Sequence, residues 1–250
     1  DIRAYFFLRK YFSENHFDIV HTHSSKAGII ARAAASSASV PVTVHTVHGL
    51  AFHKFEKTWK NLLYKLAERW AAKKCDKIFA VAQAMIDKCV SAKIANREKF
   101  KVIYSGIELD SYKNCGRERN RIREKFKIPS DAPLVGAVAR LFPLKGYEDF
   151  LPVSAKIAKE INNVHFLIVG DGIMKDDVKK QSENMGLKFH FAGLVPPEEV
   201  PSYVSAIDVL IHLSLREGLP RAVVQAFAAG KPAIAYRLDG SPEVIIEGKT

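Results

Sequence analysis

Nine short apolar runs recur along the chain, each followed by a longer stretch with helical spacing, and this rhythm restricts the possible folds more than any other feature. FDIVHTH, VPVTVHT, DKIFAVA and FKVIYS lie in the first half; APLVGAVA, VHFLIVG, KFHFAG, DVLIHL and KPAIAY lie in the second. The interior runs are nearly continuous in Val, Ile, Leu, Ala and Phe, as expected of strands covered by helices on both faces. Strands alternating with helices imply a parallel sheet, an α/β doubly wound architecture. The rhythm breaks at SGIELDSYKNCGRERNR (105–121), a polar stretch containing Gly106 and Gly116 that reads as an interdomain linker. Two open sheets joined there are expected to turn their strand carboxyl ends, where such sheets bind ligands, toward a shared cleft.

The 250 residues are 48% hydrophobic and 26% charged, a globular composition with room for two domains. The longest apolar runs, FLIVG (166–170) and VLIHLSL (209–215), fall well short of the ~20 residues of a membrane-spanning helix. The chain begins at Asp1 and ends at Thr250 after IIEGK, so it reads as a fragment. Cys75, Cys89 and Cys115 are widely spaced and odd in number, which suits reduced thiols better than a disulfide framework or zinc knuckle. The net charge of +11 is uneven: residues 1–120 hold 21 Lys and Arg against 11 Asp and Glu, whereas 121–250 hold 17 against 16. The first half is therefore expected to face something anionic, be it phospholipid, nucleic acid or a charged substrate.

Several stretches carry candidate chemistry. In SLREGLPRAVVQAFAAGKPAIA (214–235), Pro220 suits a first helical position and Gly230 with Pro232 marks the stop. That helix start offers free backbone N–H groups to an anion, and Gly218 would let the backbone approach a ligand closely. Glu217 beside it either accepts hydrogen bonds from hydroxyls or is a surface acid near a helix N-terminus. Gln225 reads either as a ligand contact or as a satisfied core amide. In AVARLFPLKGYEDF (137–150), Arg140 and Lys145 both emerge past a buried strand, a planar fork and a mobile point charge suited together to a diphosphate. The run lacks the spacing of a Walker loop, and GDG (170–172) is too short for a dinucleotide fingerprint. FAGLVPPEEV (191–200) is a strand-to-helix turn whose exposed backbone, around Gly193 and Val195, could read a base.

Histidines gather early, at His21, His23, His45, His48 and His53. A metal site is one reading, but no carboxylate cluster accompanies them. Hydrogen-bonded strand ends are the expected role of His21, His45 and His53, whereas Gly49 opens the backbone beside His48. In KFEKTWKNLLYKLAERWAAKKCDK (54–77), Trp59, Leu62, Leu63, Leu66 and Trp70 form one helical stripe, with Lys57, Lys60, Lys65, Lys73 and Lys74 among the remaining positions. The stripe is expected to pack on its own sheet; the alternative is a helix lying in a membrane interface.

Taken together, DIVHTHSSKAG, HTVHG, VIYSGIE, VARLFPLKG, FLIVGDG, FAGLV, SLREGLPRAVVQAFAAGKPAIA and GSPEVI resemble the retaining GT-B glycosyltransferases of family 4, over essentially the whole chain. The resemblance implies two Rossmann-like doubly wound domains facing a cleft, 1–108 on the acceptor side without its first strand, and 109–250 binding the donor nucleotide without its C-terminal end. It implies that Arg140 and Lys145 bind the donor's diphosphate and neutralise the leaving nucleotide. Glu217 and His48 would hold the donor sugar, with Gly218 and Leu219 offering backbone N–H groups to sugar and phosphates, and Gly193 and Val195 would border the base. The second acid of the family's E-x7-E signature falls at Gln225, an amide that keeps an acceptor for ribose but loses charge assistance.

The leading expectation is a metal-independent retaining transferase without cofactor, its nucleotide-diphosphate sugar, a UDP-sugar, being a substrate. It would act in cell-surface polysaccharide or glycolipid synthesis on a lipid-linked or saccharide acceptor. Its place would be the cytoplasm, at an anionic membrane surface on the inner face of the cytoplasmic membrane. The alternatives are a nucleotide-sugar epimerase of the same fold, a metal-dependent hydrolase using the early histidines, and a basic nucleic-acid-binding module. No nucleic-acid motif supports the last.

Overall fold

Each of the nine apolar runs forms a strand in the computed structural model, which describes residues 1–113 and 116–249. Asn114, Cys115 and Thr250 lie outside the described residues. The chain divides into two units, Asp1–Ser105 with Glu217–Leu219, and Gly106–Arg216 with Pro220–Thr250.

The first unit holds β1 (Ile19–His23), β2 (Val42–Val47), β3 (Lys77–Ala80) and β4 (Phe100–Val102), parallel and in sequence order. Its helices are α1 (Ile2–Asn15), α2 (Ser25–Ser37), α3 (Thr58–Ala72) and α4 (Gln83–Ser91). α2 and α3 turn alanines inward: Ala34, Ala35, Ala71 and Ala72 are fully buried. Small inward side chains leave room for an ion pair between the two helices. Arg32, itself fully buried, donates from Nη2 to Glu68 Oε2 at 2.6 Å and from Nε to the Gly28 carbonyl at 3.0 Å. Cys75 and Cys89 are free and buried, and burial pushes both thiols up, Cys89 to about 12, so neither is a ready nucleophile.

The stripe on α3 departs from expectation. Trp59, Leu62, Leu63, Leu66 and Trp70 are 48–59% exposed, while Glu68, Ala71 and Ala72 fill the inward face. Periodicity shows that a stripe exists; it does not show which side the sheet takes. Here the side with small residues and a partnered acid packs inward.

The second unit holds β5 (Leu134–Val138), β6 (His165–Val169), β7 (Phe189–Gly193), β8 (Val209–His212) and β9 (Ala233–Ala235). Its helices are α5 (Asp110–Lys113), α6 (Gly116–Lys125), α7 (Tyr147–Glu160), α8 (Lys175–Asn184), α9 (Val200–Ala206) and α10 (Arg221–Ala228). The sheet is parallel in the order β7-β6-β5-β8-β9, so the winding leaves β5 in one direction and resumes at β8 in the other. Phe166, Leu167 and Ile168 of β6 are fully buried, in keeping with a sheet covered on both faces.

The polar stretch read as a linker contributes α5 and the first residues of α6. Its charge serves an anchor. Buried Arg123 donates to the carbonyls of Ala206 (3.1 Å), Pro129 (2.9 Å) and Ala132 (2.8 Å) and to Asp208 Oδ2 (2.8 Å), and Arg119 reaches Asp208 Oδ1 at 2.7 Å. Burial works to raise the Asp208 carboxyl, but the Leu134 N–H and the two guanidiniums outweigh it and hold it below the usual range. Among the described residues no helix is long and apolar enough to cross a membrane.

Removing one partner of a buried ion pair leaves the other charge uncompensated. Glu68→Ala is therefore expected to cost about 3–5 kcal/mol in urea unfolding; an unchanged midpoint would mean that Arg32 is satisfied without the carboxylate.

Candidate functional site

In an open parallel sheet, ligands bind beyond the strand carboxyl ends where the winding reverses. In the second unit that point lies between β5 and β8, so the loops following these strands form the candidate site. Both loops carry residues singled out from the sequence, Arg140 and Lys145 on the first and the segment leading to Glu217 on the second.

These loops interlock through backbone. Gly146 has φ +80°, and a Cβ there would lie 1.9 Å from the Leu213 carbonyl oxygen, so only glycine allows the approach. Beside it, the Leu215 N–H donates to the Leu144 carbonyl at 2.9 Å, and Ser214 Oγ donates to the same carbonyl at 3.3 Å. The turn after β6 joins them. A Cβ at Gly170 would meet the Ala139 carbonyl oxygen at 2.1 Å, and the Leu141 N–H donates to the Asp171 carbonyl at 3.0 Å. The Gly170 N–H in turn donates to the Gly193 carbonyl at 2.9 Å, linking the end of β7. The Tyr147 hydroxyl donates to the Ala139 carbonyl at 3.0 Å from beneath.

On this framework Arg140 is exposed, its guanidinium carbon 5.2 Å from the Phe142 ring centroid, and Lys145 is half-buried. Gly193 takes φ +71°, and Val195 packs inward against the core, leaving backbone at the edge of the turn. Gln225 is half-buried on α10, whose neighbours Ala222, Val223 and Ala226 are buried. α10 starts one residue later than expected. Pro220 has ψ 86°, outside the helical range, so it caps the helix and Arg221 begins it. Gly230, at φ +67°, follows its end.

The same edge carries groups that the motifs did not mark. Asp171 accepts from Lys175 Nζ at 3.0 Å and from the Gly172 N–H at 2.8 Å, contacts that hold its carboxyl below the usual range. Arg216 adds a third cationic residue to these loops, directly before Glu217. The GDG turn and the REG triplet were the available signals.

In the first unit the histidines occupy the carboxyl end of the sheet. His21 Nε2 lies 2.7 Å from Thr46 Oγ1, and His45 Nδ1 lies 2.9 Å from Thr22 Oγ1. Burial first, then the charge of Arg32, push His45 down to about 3, so it is neutral at physiological pH. His53 is tied through its backbone, its N–H donating to Asn61 Oδ1 at 3.0 Å and its carbonyl accepting from Asn61 Nδ2 at 2.8 Å. His23 Nδ1 and His48 Nε2 are 2.9 Å apart, one donating to the other, on exposed rings. Among the described residues no three or more His, Cys, Asp or Glu side chains are grouped to hold a metal ion. Gly218 belongs to this unit, and its close approach is to protein: a Cβ would lie 2.2 Å from the His48 carbonyl oxygen and 2.8 Å from Val81 Cγ2.

A steric clash at a positive φ admits no relaxed alternative. Gly146→Ala is expected to lower stability by more than about 1 kcal/mol, seen as a lower urea midpoint; an unchanged midpoint would show that the two loops part freely.

Comparison with known proteins bears on the whole chain. The family model described as glycosyl transferases group 1 matches residues 118–250, and that described as glycosyltransferase family 4 matches residues 1–111. The chain is 31% identical, over 96% of its length, to UDP-Gal:alpha-D-GlcNAc-diphosphoundecaprenol alpha-1,3-galactosyltransferase of Escherichia coli, of which it covers 63%. It is 29% identical, over 83% of its length, to 2-deoxystreptamine glucosyltransferase of Streptomyces kanamyceticus, of which it covers 55%. Anabaena HepE in complex with UDP and glucose is similar in structure, with a TM-score of 0.83 at 24% identity, covering 96% of this chain and 65% of that one. The chain thus spans less than two thirds of the length of each of these proteins. The fold is of the GT-B type, with two Rossmann-like parallel-sheet units.

Proposed function

This chain belongs to the glycosyl transferases group 1, and we propose that it serves an enzyme transferring a sugar from a nucleotide-diphosphate donor to a lipid-linked or saccharide acceptor. The observation that carries the reading is the placement of Arg140 and Lys145 on one interlocked loop at the switch point of the second sheet. A UDP-sugar is the proposed donor and a lipid-diphosphate saccharide the favoured acceptor, since the Escherichia coli relative is named for both. Polysaccharide or glycolipid synthesis at the inner face of the cytoplasmic membrane fits that acceptor.

In this reading the bond between the sugar's anomeric carbon and the β-phosphate oxygen breaks as an acceptor hydroxyl attacks. Negative charge then grows on the diphosphate, where a guanidinium fork and an ammonium lower the barrier most because they are already in place. Transfer proceeds from the front face with retention: the departing phosphate oxygen takes the acceptor's proton, so no protein base is required. Glu217 accepts hydrogen bonds from sugar hydroxyls, Gly218 and Leu219 offer backbone N–H groups, and His48 is a further sugar contact. Gly193 and Val195 border the base with backbone groups. No metal ion or cofactor enters this scheme.

Gln225 bears on the ribose. An amide presents one acceptor oxygen where a carboxylate presents two with charge, so ribose is held more weakly.

Two measurements test the reading. Arg140→Ala and Lys145→Ala, made in the full-length protein, are each expected to lower kcat/KM for the donor by about 10²–10³-fold; turnover like the parent's in both would remove the cations from the reaction. Gln225→Glu is expected to tighten UDP binding by about tenfold, the worth of a charge-assisted over a neutral hydrogen bond. Unchanged or weaker binding by calorimetry would place ribose elsewhere.

A further inference from the structure

We infer that α3 is the face through which this protein docks on an anionic phospholipid bilayer. The inference extends the lipid-linked acceptor reading to a surface, and rests on it for the choice of a bilayer as occupant. Its starting observation is the reversed amphipathicity of α3. A helix on a covered sheet normally turns its large apolar residues inward. Here Trp59, Leu62, Leu63, Leu66 and Trp70 point outward, each about half exposed, and Phe55 just ahead of the helix is 45% exposed. An indole stands near each end and three leucines lie between, the order that suits a helix resting at the depth of lipid headgroups.

Charge selects the partner. Lys54 Nζ lies 4.8 Å from the Phe55 ring centroid, Lys60 Nζ 5.8 Å from that of Trp59, and Lys74 Nζ 5.7 Å from that of Trp70, so cations border the apolar stripe. Such side chains can reach toward phosphates while their stems lie along apolar surface. The one acid within α3, Glu68, faces inward and is bound to Arg32. The outward half of α3 itself therefore carries no carboxylate, Glu56 just ahead of it being paired with Lys60 Nζ at 3.5 Å, and the excess of lysine and arginine over residues 1–120 adds longer-range attraction. At 15 residues, about 22 Å at the usual helical rise, α3 lies along the interface and does not span it.

The test uses the full-length protein and sedimentation with two kinds of vesicle, phosphatidylglycerol mixed with phosphatidylethanolamine, and phosphatidylcholine alone. Strong partitioning to the first and little to the second is expected. Trp59→Ser, Leu63→Ser and Trp70→Ser combined should lower partitioning to the anionic vesicles by at least tenfold, roughly the worth of the apolar surface withdrawn. Lys60→Ala, Lys73→Ala and Lys74→Ala combined should lower it by about a hundredfold, near fivefold for each charge. Circular dichroism and UDP binding, both expected to match the parent's, confirm that the variants fold. Equal partitioning of parent and apolar variant, equal binding to the two vesicle types, or no binding because another segment or a second copy covers α3 would each overturn the inference. If vesicles bind as expected but UDP does not bind the parent, the docking face stands and the proposed donor falls, so the two failures are distinguishable.

Discussion

The carbonyl of Leu213 occupies the space that a side chain at Gly146 would fill, and the candidate site depends on that contact. With the Leu144–Leu215 hydrogen bond it fastens the loop after β5 to the loop after β8, where the winding of the sheet reverses. Gly170 extends the lock to the turn after β6. The backbone positions of Arg140 and Lys145 are therefore set by main-chain geometry. A backbone fixed this way carries both cations to one place before a diphosphate arrives, and preorganisation of that kind makes electrostatic stabilisation effective.

The first unit solves a different problem. Alanines on α2 and α3 allow close packing around the Arg32–Glu68 pair, and the bulky residues of α3 are left on the outside. One choice of inward face thus gives both a buried ion pair and an outward apolar stripe bordered by lysines. The histidines show a similar division of labour. His45 is neutral and supports the strand end from within, whereas His23 and His48 share a hydrogen bond at the exposed edge.

Much of this was legible in the sequence because buried parallel strands leave an unambiguous trace: runs such as VHFLIVG have no polar face to confuse with a helix. The placement of Arg140, Lys145 and Gly193 at strand ends followed directly. Three features were not legible for identifiable reasons. Residues 105–121 read as a linker from their polarity and glycines, and the units do divide at Ser105, but the sequence did not show that Arg119 pairs with Asp208 beside Arg123 of the same helix. At Gly218 the sequence showed room for a close approach, but not that the His48 carbonyl lies where a Cβ would stand. The stripe on α3 was visible as a period, while its direction depended on which neighbours were small enough to pack.

The central claim is that a nucleotide diphosphate sits at the reversal point of the second sheet. A crystal structure of the full-length protein with a bound UDP-sugar tests it most directly. The account predicts the diphosphate oxygens within hydrogen-bonding distance of Arg140 and Lys145, beside the Gly146–Leu213 contact. A nucleotide bound at another edge of the molecule, with both side chains turned away from its phosphates, would contradict it.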